Sequence, residues 1–442
     1  MRLTRSWIPL ALVCLVGCGS GDDDRRASSS GAHPLRFVSV RGADDAGGGA
    51  DDPWRTVQHA VRAAPQGAVI TVKSGRYRGF TVSGDRRLTI RGARKGARPV
   101  LVRGTRRDGD TVRIFDAEGV RLERMVVVGA SGAFNAGVHV RRSRAVRLER
   151  LLLTGNESFG LEVADSTNVV VRRSVMTRND TGIQVSRSRH VRIERNDLMR
   201  NDGMVVNDAQ PDNDRGANAI VVYRTPGPVQ ISGNRAWGNR ARSMDYGFDG
   251  GAFEIYDASR VAITGNRVWN NQNVVETGTA PGGGCANNRF ERNVAYRGRA
   301  TGPTMGMILR CAQRMRVVDN TFYDLDRFVF DVTADARRFG GSVDGLTIVG
   351  NRAVSHRDMI YSIDSDLPPT VRIDGQLAAN VSRGPLAYVY RRGRTRSLAR
   401  FRAWTGFEAT GRQRAPTFRK PSRGDFRRAP GSVWTSSADA SP

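Results

Sequence analysis

The sequence is almost without lysine: Lys73, Lys95 and Lys420 are the only three, leaving 67 arginines among its 70 basic residues. It has five histidines and four cysteines in 442 residues, and only 7% of its side chains are aromatic. His33, His190 and His356 are isolated and His59 falls on an amphipathic segment, so no histidine spacing reads as a metal centre. Beyond residue 17 no apolar run is long enough to cross a bilayer, which excludes later membrane-spanning helices. A hydrophobic fraction of 39% with 50 glycines favours short, glycine-punctuated elements over long helices. The net charge of +27 favours anionic partners, and arginine suits bidentate contacts with carboxylate or phosphate. For an exported chain that means acidic polysaccharide, teichoic-type polymer or anionic lipid rather than nucleic acid. An arginine-biased genome would give the same charge, so charge alone assigns no function.

Export is read from the N-terminus. Arg2 and Arg5 precede the apolar stretch from Trp7 to Val16, which is too short to span a membrane comfortably and reads as a signal. It closes on Leu15-Val16-Gly17-Cys18, which resembles the bacterial lipobox; that resemblance implies lipidation of Cys18. Residues 1–17 are then a lipoprotein signal peptide and 18–34, rich in Gly, Ser and Asp, a flexible tether. The expectation is a monomer held on the outer side of the cell membrane.

A repeat fills the middle of the chain. Val191-Arg-Ile-Glu-Arg-Asn196 recurs as Val229 to Asn234, Val261 to Asn266 and Leu346 to Asn351, with weaker copies ending at Asn293 and Asn320. Earlier copies replace the asparagine, ending at Leu151 and Ser174. Positions 151, 174 and 196 are 23 and 22 residues apart; 234, 266, 293, 320 and 351 are 32, 27, 27 and 31 apart. A period in the twenties with variable excess means one coil per repeat, with insertions confined to loops. Strands too short to close a sheet within a coil must pair with their counterparts in the next, giving parallel sheets along a solenoid. The asparagine fits a turn where its side chain can stack in a hydrogen-bonded ladder. The spacing therefore predicts an all-β, right-handed parallel β-helix over 35–382. A short amphipathic helix should start near Asp51-Asp52-Pro53, run to Ala64 and cap the first coil; Trp54, Val57, Ala60 and Val61 share one face. Residues 383–442, rich in Arg, Pro and Gly, read as an irregular extension along the outside.

Phe37-Val-Ser-Val-Arg-Gly-Ala-Asp44, Pro53-Trp-Arg-Thr-Val-Gln-His-Ala-Val61 and Gly75-Arg-Tyr77 resemble the opening of pectate-lyase-like β-helix proteins. Gly424-Asp-Phe-Arg-Arg-Ala-Pro-Gly-Ser432 resembles their usual ending. The resemblance covers nearly the whole chain after the tether and implies polysaccharide lyases, glycoside hydrolases, epimerases or members without known activity. It assigns no catalytic set. No lysine lies between Lys95 and Lys420 to match a lysine-base lyase, and the galacturonase-like and mannuronan-epimerase motifs are missing.

Outward strand positions, flanked by apolar neighbours, fall at His139, Glu162, Gln184, Glu254, Glu276, Arg310 and Asp331. The last four are expected as a charged row on successive rungs, beside loops 208–217, 240–250, 278–284 and 297–305. On an acidic glycan, Arg310 would abstract a proton α to a uronate carboxylate or clamp that carboxylate, while Asp249, Glu254 and Glu276 would hold Ca²⁺. Alternatively Glu254 and Glu276 serve as acid and nucleophile of a retaining hydrolase. Asp331 and Tyr256 are candidate substrate contacts. A non-catalytic surface lipoprotein binding anionic polysaccharide is the competing reading, and there the row is only a binding ladder. Cys285 and Cys311 precede Asn293 and Asn320 by eight and nine residues, so they should meet on adjacent coils as a disulfide.

Overall fold

The computed structural model describes residues 33–92, 100–104, 109–211, 213–298, 302–334 and 341–432. The signal, Cys18 and nearly all of the expected tether lie outside the described residues. Three sheets run the length of the molecule. One of 13 strands starts at Leu35–Val38 and ends at Arg372–Asp374; a second of 13 starts at Phe80–Gly84; a third of 12 runs from Gly75–Arg78 to Leu377–Asn380. Neighbouring strands pair in parallel between successive coils, as Val191–Glu194 does with Val229–Ser232 and then Val261–Thr264. Among the described residues no helix is long and apolar enough to cross a membrane.

The inward residues of each strand fill the coil with Val, Ile and Leu. An aromatic line runs through the C-terminal half: Phe253, Phe290, Phe322, Phe330, Tyr361 and Phe401 follow one another at ring-centroid distances of 4.7–6.3 Å. The recurrent asparagines are buried at the corner between the first and third sheets. The backbone N–H of Asn196 donates to Oδ1 of Asn234 at 2.9 Å, Asn234 to Asn266 at 2.8 Å, Asn266 to Asn293 at 2.8 Å, and so on to Asn351. Each side-chain amide also donates to the next Oδ1 and to a strand carbonyl, so groups that burial would otherwise orphan are satisfied. Asn156, Asn179, Asn201, Asn239 and Asn271 build a second ladder at another corner.

The residue before each rung of the first ladder is left-handed. Arg124, Arg150, Arg173, Arg195, Gly233, Gly265, Arg292, Asp319, Gly350 and Gly375 have φ between 52° and 69°. The conformation turns the chain by one corner, and it costs a side-chain-bearing L-residue roughly 1–2 kcal/mol that glycine avoids. Cys285 and Cys311 are disulfide-bonded across adjacent coils, with Cα atoms 5.7 Å apart.

Both ends differ in detail from the sequence reading. The capping helix spans Val57–Ala63, starting four residues after Pro53, because Thr56 supplies the N-cap, its hydroxyl accepting from the His59 N–H at 3.1 Å. Trp54 stays in extended backbone, bridging to Val38. At the other end, the segment after 383 is not simply irregular. Ala387–Val389 continues the second sheet, Gly393–Thr395 folds back on it antiparallel, and the helix Leu398–Thr405 buries Leu398 and Phe401 over the last coil. Past the helix the ladder ends in a carboxyl group. Gln376, which occupies the last asparagine position, donates its N–H to Oε2 of the fully buried Glu408 at 3.2 Å, and Tyr361 Oη donates to Oε1 at 3.0 Å. The hairpin of Phe418–Lys420 and Asp425–Arg428 then sets Phe426 against Tyr296 and Tyr323 on the outside of the third sheet.

Asn266→Ala removes acceptors for two donors of Asn234 and should lower the unfolding free energy by about 2–4 kcal/mol, measured by chemical denaturation. Burial lifts the Glu408 carboxyl from 4.5 to about 7. Above 4.5 the unfolded chain releases this proton and the folded chain does not, so stability declines as pH rises to about 7 and then levels. The decline amounts to about 3 kcal/mol. Glu408→Gln should flatten that slope in thermal melts across this range; equal slopes in both proteins would count against it.

Candidate active site

The second sheet carries one line of outward positions, fixed by strand register. It runs Arg113, His139, Glu162, Gln184, Val221, Glu254, Glu276, Ile308, Asp331 and Ser362. Glu254 and Glu276 are directly opposed on adjacent strands, Gly251–Tyr256 and Asn273–Gly278. Strands in a sheet lie about 4.8 Å apart, so the backbones that carry the two glutamates are one rung apart, on the same outward line. Arg310 is not the next member of the row. Ile308 occupies that place, and Arg310 follows the end of strand Met305–Leu309, two residues on. The side chain still reaches back: Arg310 Nη1 lies 3.4 Å from Glu276 Oε1. Asp331 is on the row but one rung beyond Ile308.

Each carboxyl is held by an asparagine. Asn218 Nδ2 donates to Glu254 Oε2 at 2.8 Å, and Asn273 Nδ2 donates to Glu276 Oε2 at 3.2 Å. Gly251 leaves room for both amides, since a Cβ there would lie 2.2 Å from Asn273 Oδ1. Burial raises the Glu254 carboxyl from 4.5 to about 8, and the neighbouring charges of Glu276 and Asp249 push the same way. Asp249 is likewise lifted from 3.8 to about 7, first by burial. Burial also raises Asp331, against the hydrogen bond from Ser362 and the charge of Arg310. Among the described residues there is no group of three or more His, Cys, Asp or Glu side chains placed to hold a metal ion. Tyr256 sits beside the pair and stacks on Tyr223 at 5.8 Å.

Two insertions stand over these rungs as a wall. Met204–Val206 pairs antiparallel with Arg215–Gly216, and Ala241–Ser243 with Gly247–Asp249. They are latched reciprocally. Asp214 accepts from the N–H groups of Met244 and Asp245 at 2.7 and 3.0 Å, and Asp245 accepts from those of Asn213 and Asp214 at 3.0 and 3.1 Å. The wall exposes Met244, Tyr246 and Phe248, and the Arg215 guanidinium lies 4.9 Å from the ring centroid of Phe134.

A second polar group occupies the N-terminal part of the row. His139 Nδ1 is 3.1 Å from Asp110 Oδ2, its Nε2 is 3.4 Å from Glu162 Oε2, and Gln184 donates to Glu162 Oε1 at 3.2 Å. Burial raises the Glu162 carboxyl, though the His139 charge opposes it. The sequence pattern singled out His139, Glu162 and Gln184 but missed Asp110, which lies just before its strand. It also missed Asn218 and Asn273, three residues ahead of an outward glutamate in one case and a whole coil away in the other. A concavity of about 270 Å³ lies elsewhere, on the first sheet, lined by Arg147, His190, Arg192 and Gln230, with no carboxyl among its lining residues.

The architecture is that of a right-handed parallel β-helix, and residues 102–251 match the family described as right handed beta helix region. Among solved structures, the chain is similar to the Dettilon tailspike protein at 13% identity and a TM-score of 0.55, over 75% of this chain and 63% of that one. It is similar to pectate lyase Pel9A at 14% identity and a TM-score of 0.48, over 67% and 77%. The A-module of an Azotobacter vinelandii mannuronan C-5 epimerase matches at 14% identity and a TM-score of 0.49, over 72% and 92%. The likeness to the tailspike protein shows the fold and not the reaction. No curated protein matches the chain in sequence.

Asp214→Ala should free both insertions without unfolding the solenoid. Hydrogen exchange should quicken in 204–216 and 241–249 alone; unchanged exchange there would show that the latch is dispensable.

Proposed function

We propose that this protein hydrolyses glycosidic bonds in an acidic polysaccharide, with Glu254 as general acid and Glu276 as nucleophile. One observation carries the reading: two opposed carboxyl groups on adjacent rungs lie in different environments. Burial keeps the Glu254 proton in place up to about pH 8, whereas Glu276 faces the Arg310 guanidinium. Glutamates on adjacent rungs, about 4.8 Å apart at the backbone, can take the carboxyl spacing of about 5 Å that retaining glycosidases use. Glu254 gives its proton to the glycosidic oxygen as that bond breaks, and Glu276 bonds to the anomeric carbon. Glu254 then takes a proton from the water that releases the sugar, so both carboxyl groups return to their starting states.

Arg310 holds the Glu276 carboxylate and offers charge to an acidic sugar. The elimination alternative fits less well, because a guanidinium bonded to a carboxylate is a donor and not a base. Tyr256, Asp331 and the exposed Tyr246 and Phe248 would contact the glycan, and the row toward His139 would hold more of the same chain. Ca²⁺ has no part in this scheme. The reading is completed by export, lipidation at Cys18 and attachment of a monomer to the outer side of the membrane.

The test is a screen against acidic polysaccharides, following both reducing ends and the absorbance of unsaturated uronate. Reducing ends without absorbance are expected, with losses of roughly 10³-fold or more in Glu254→Gln and Glu276→Gln. Activity should fall as Glu254 loses its proton, near pH 8. Rising absorbance would mean elimination instead. Binding without either product would favour a non-catalytic surface protein.

A further inference from the structure

A row of arginines stands at the corner between the first and third sheets, away from the carboxylate row. Arg150, Arg173 and Arg195 follow one another on successive coils, each with its N–H bonded to the carbonyl of the coil beyond. All three side chains are exposed, and by the strand spacing their backbones are about 4.8 Å apart. Across the short strands of the third sheet, Arg178 and Arg200 hold the same relation at the opposite corner, also exposed and left-handed with φ of 57° and 50°. The nearby carboxylates make their ion pairs with other arginines: Glu149 with Arg121 and Arg172, although the Arg150 charge also acts on it, Glu194 with Arg192, and Asp197 with Arg235.

The fold does not ask for these side chains. At the same corner the next two coils use Gly233 and Gly265, the residue type that backbone conformation favours. Like charges repeated at one strand spacing repel each other, and an anionic chain laid along the corner would relieve that repulsion. Arginine rather than lysine gives each position a planar fork that fits a carboxylate.

We infer that Arg150, Arg173 and Arg195, flanked by Arg178 and Arg200, form a docking strip for a linear acidic polysaccharide, separate from the groove of the carboxylate pair. The strip holds the polymer by charge at regular intervals and needs no chemistry from the solenoid. It stands whether or not the carboxylate pair is catalytic.

The experiment uses the full chain with polygalacturonate, neutral pullulan and phosphatidylglycerol vesicles as probes. The strip variant is Arg150→Gly, Arg173→Gly and Arg195→Gly together, which installs the residue the fold already tolerates there and should melt no lower than wild type. A control removes equal charge at Arg392, Arg394 and Arg396 by Gln substitution. Wild type should bind polygalacturonate and not pullulan, with affinity falling steeply as salt rises. The strip variant should lose about tenfold or more at low salt and show a shallower salt dependence. The control should bind as wild type does. Equal binding by the strip variant, equal loss in the control, or binding of pullulan would overturn the inference. So would a loss confined to vesicles, which would make the strip a membrane contact.

Discussion

Everything in this molecule depends on hydrogen bonds between one coil and the next. No coil can satisfy itself: the N–H of Asn234 needs the side chain of Asn266, and Asn266 needs Asn293. Because these groups are buried, each broken bond leaves a desolvated donor with no water to replace the partner. The ladders therefore fix the register of three sheets at once. Register then decides that Glu254 opposes Glu276, since a slip of one residue would turn the pair into the core. The site is a by-product of the spine.

The same rigidity explains why one pair of glutamates can differ so much in environment. Glu254 and Glu276 sit at equivalent strand positions, and each is bonded to one asparagine. What separates them is first the burial of Glu254, then the charge of Asp249 on the wall hairpin, whereas Glu276 has the Arg310 guanidinium beside it. The scaffold supplies the register, and burial together with the neighbouring charges supplies the electrostatics.

The repeat made most of the fold legible, because an Asn every coil and alternating apolar residues leave few alternatives. The outward row was readable where polar residues mark it, at His139, Glu162, Glu254, Glu276 and Asp331. It failed at Ile308, an apolar residue that faces out between Glu276 and Asp331. The charged Arg310 two positions later looked like the better candidate, and a polarity pattern cannot tell an outward strand position from one just past the strand's end. The helix boundary at Thr56 was missed because Pro53 is an equally good starting signal. The Asp214–Asp245 latch joins residues in two loops of different coils, and nothing periodic announces it. The last coil was hidden by composition: the arginine- and proline-rich tail still contains Leu398, Phe401 and Glu408, which close the core.

The first ladder also has a direction. Every rung donates its backbone N–H toward the C-terminus, so any final rung faces outward with an unspent donor unless something that only needs to accept is waiting. Gln376 meets the Glu408 carboxyl there. An asparagine in that place would pass the same demand to a further coil, and to the edge of a second molecule if the chain had ended. Coil number in such a solenoid is thus set by where the relay is stopped.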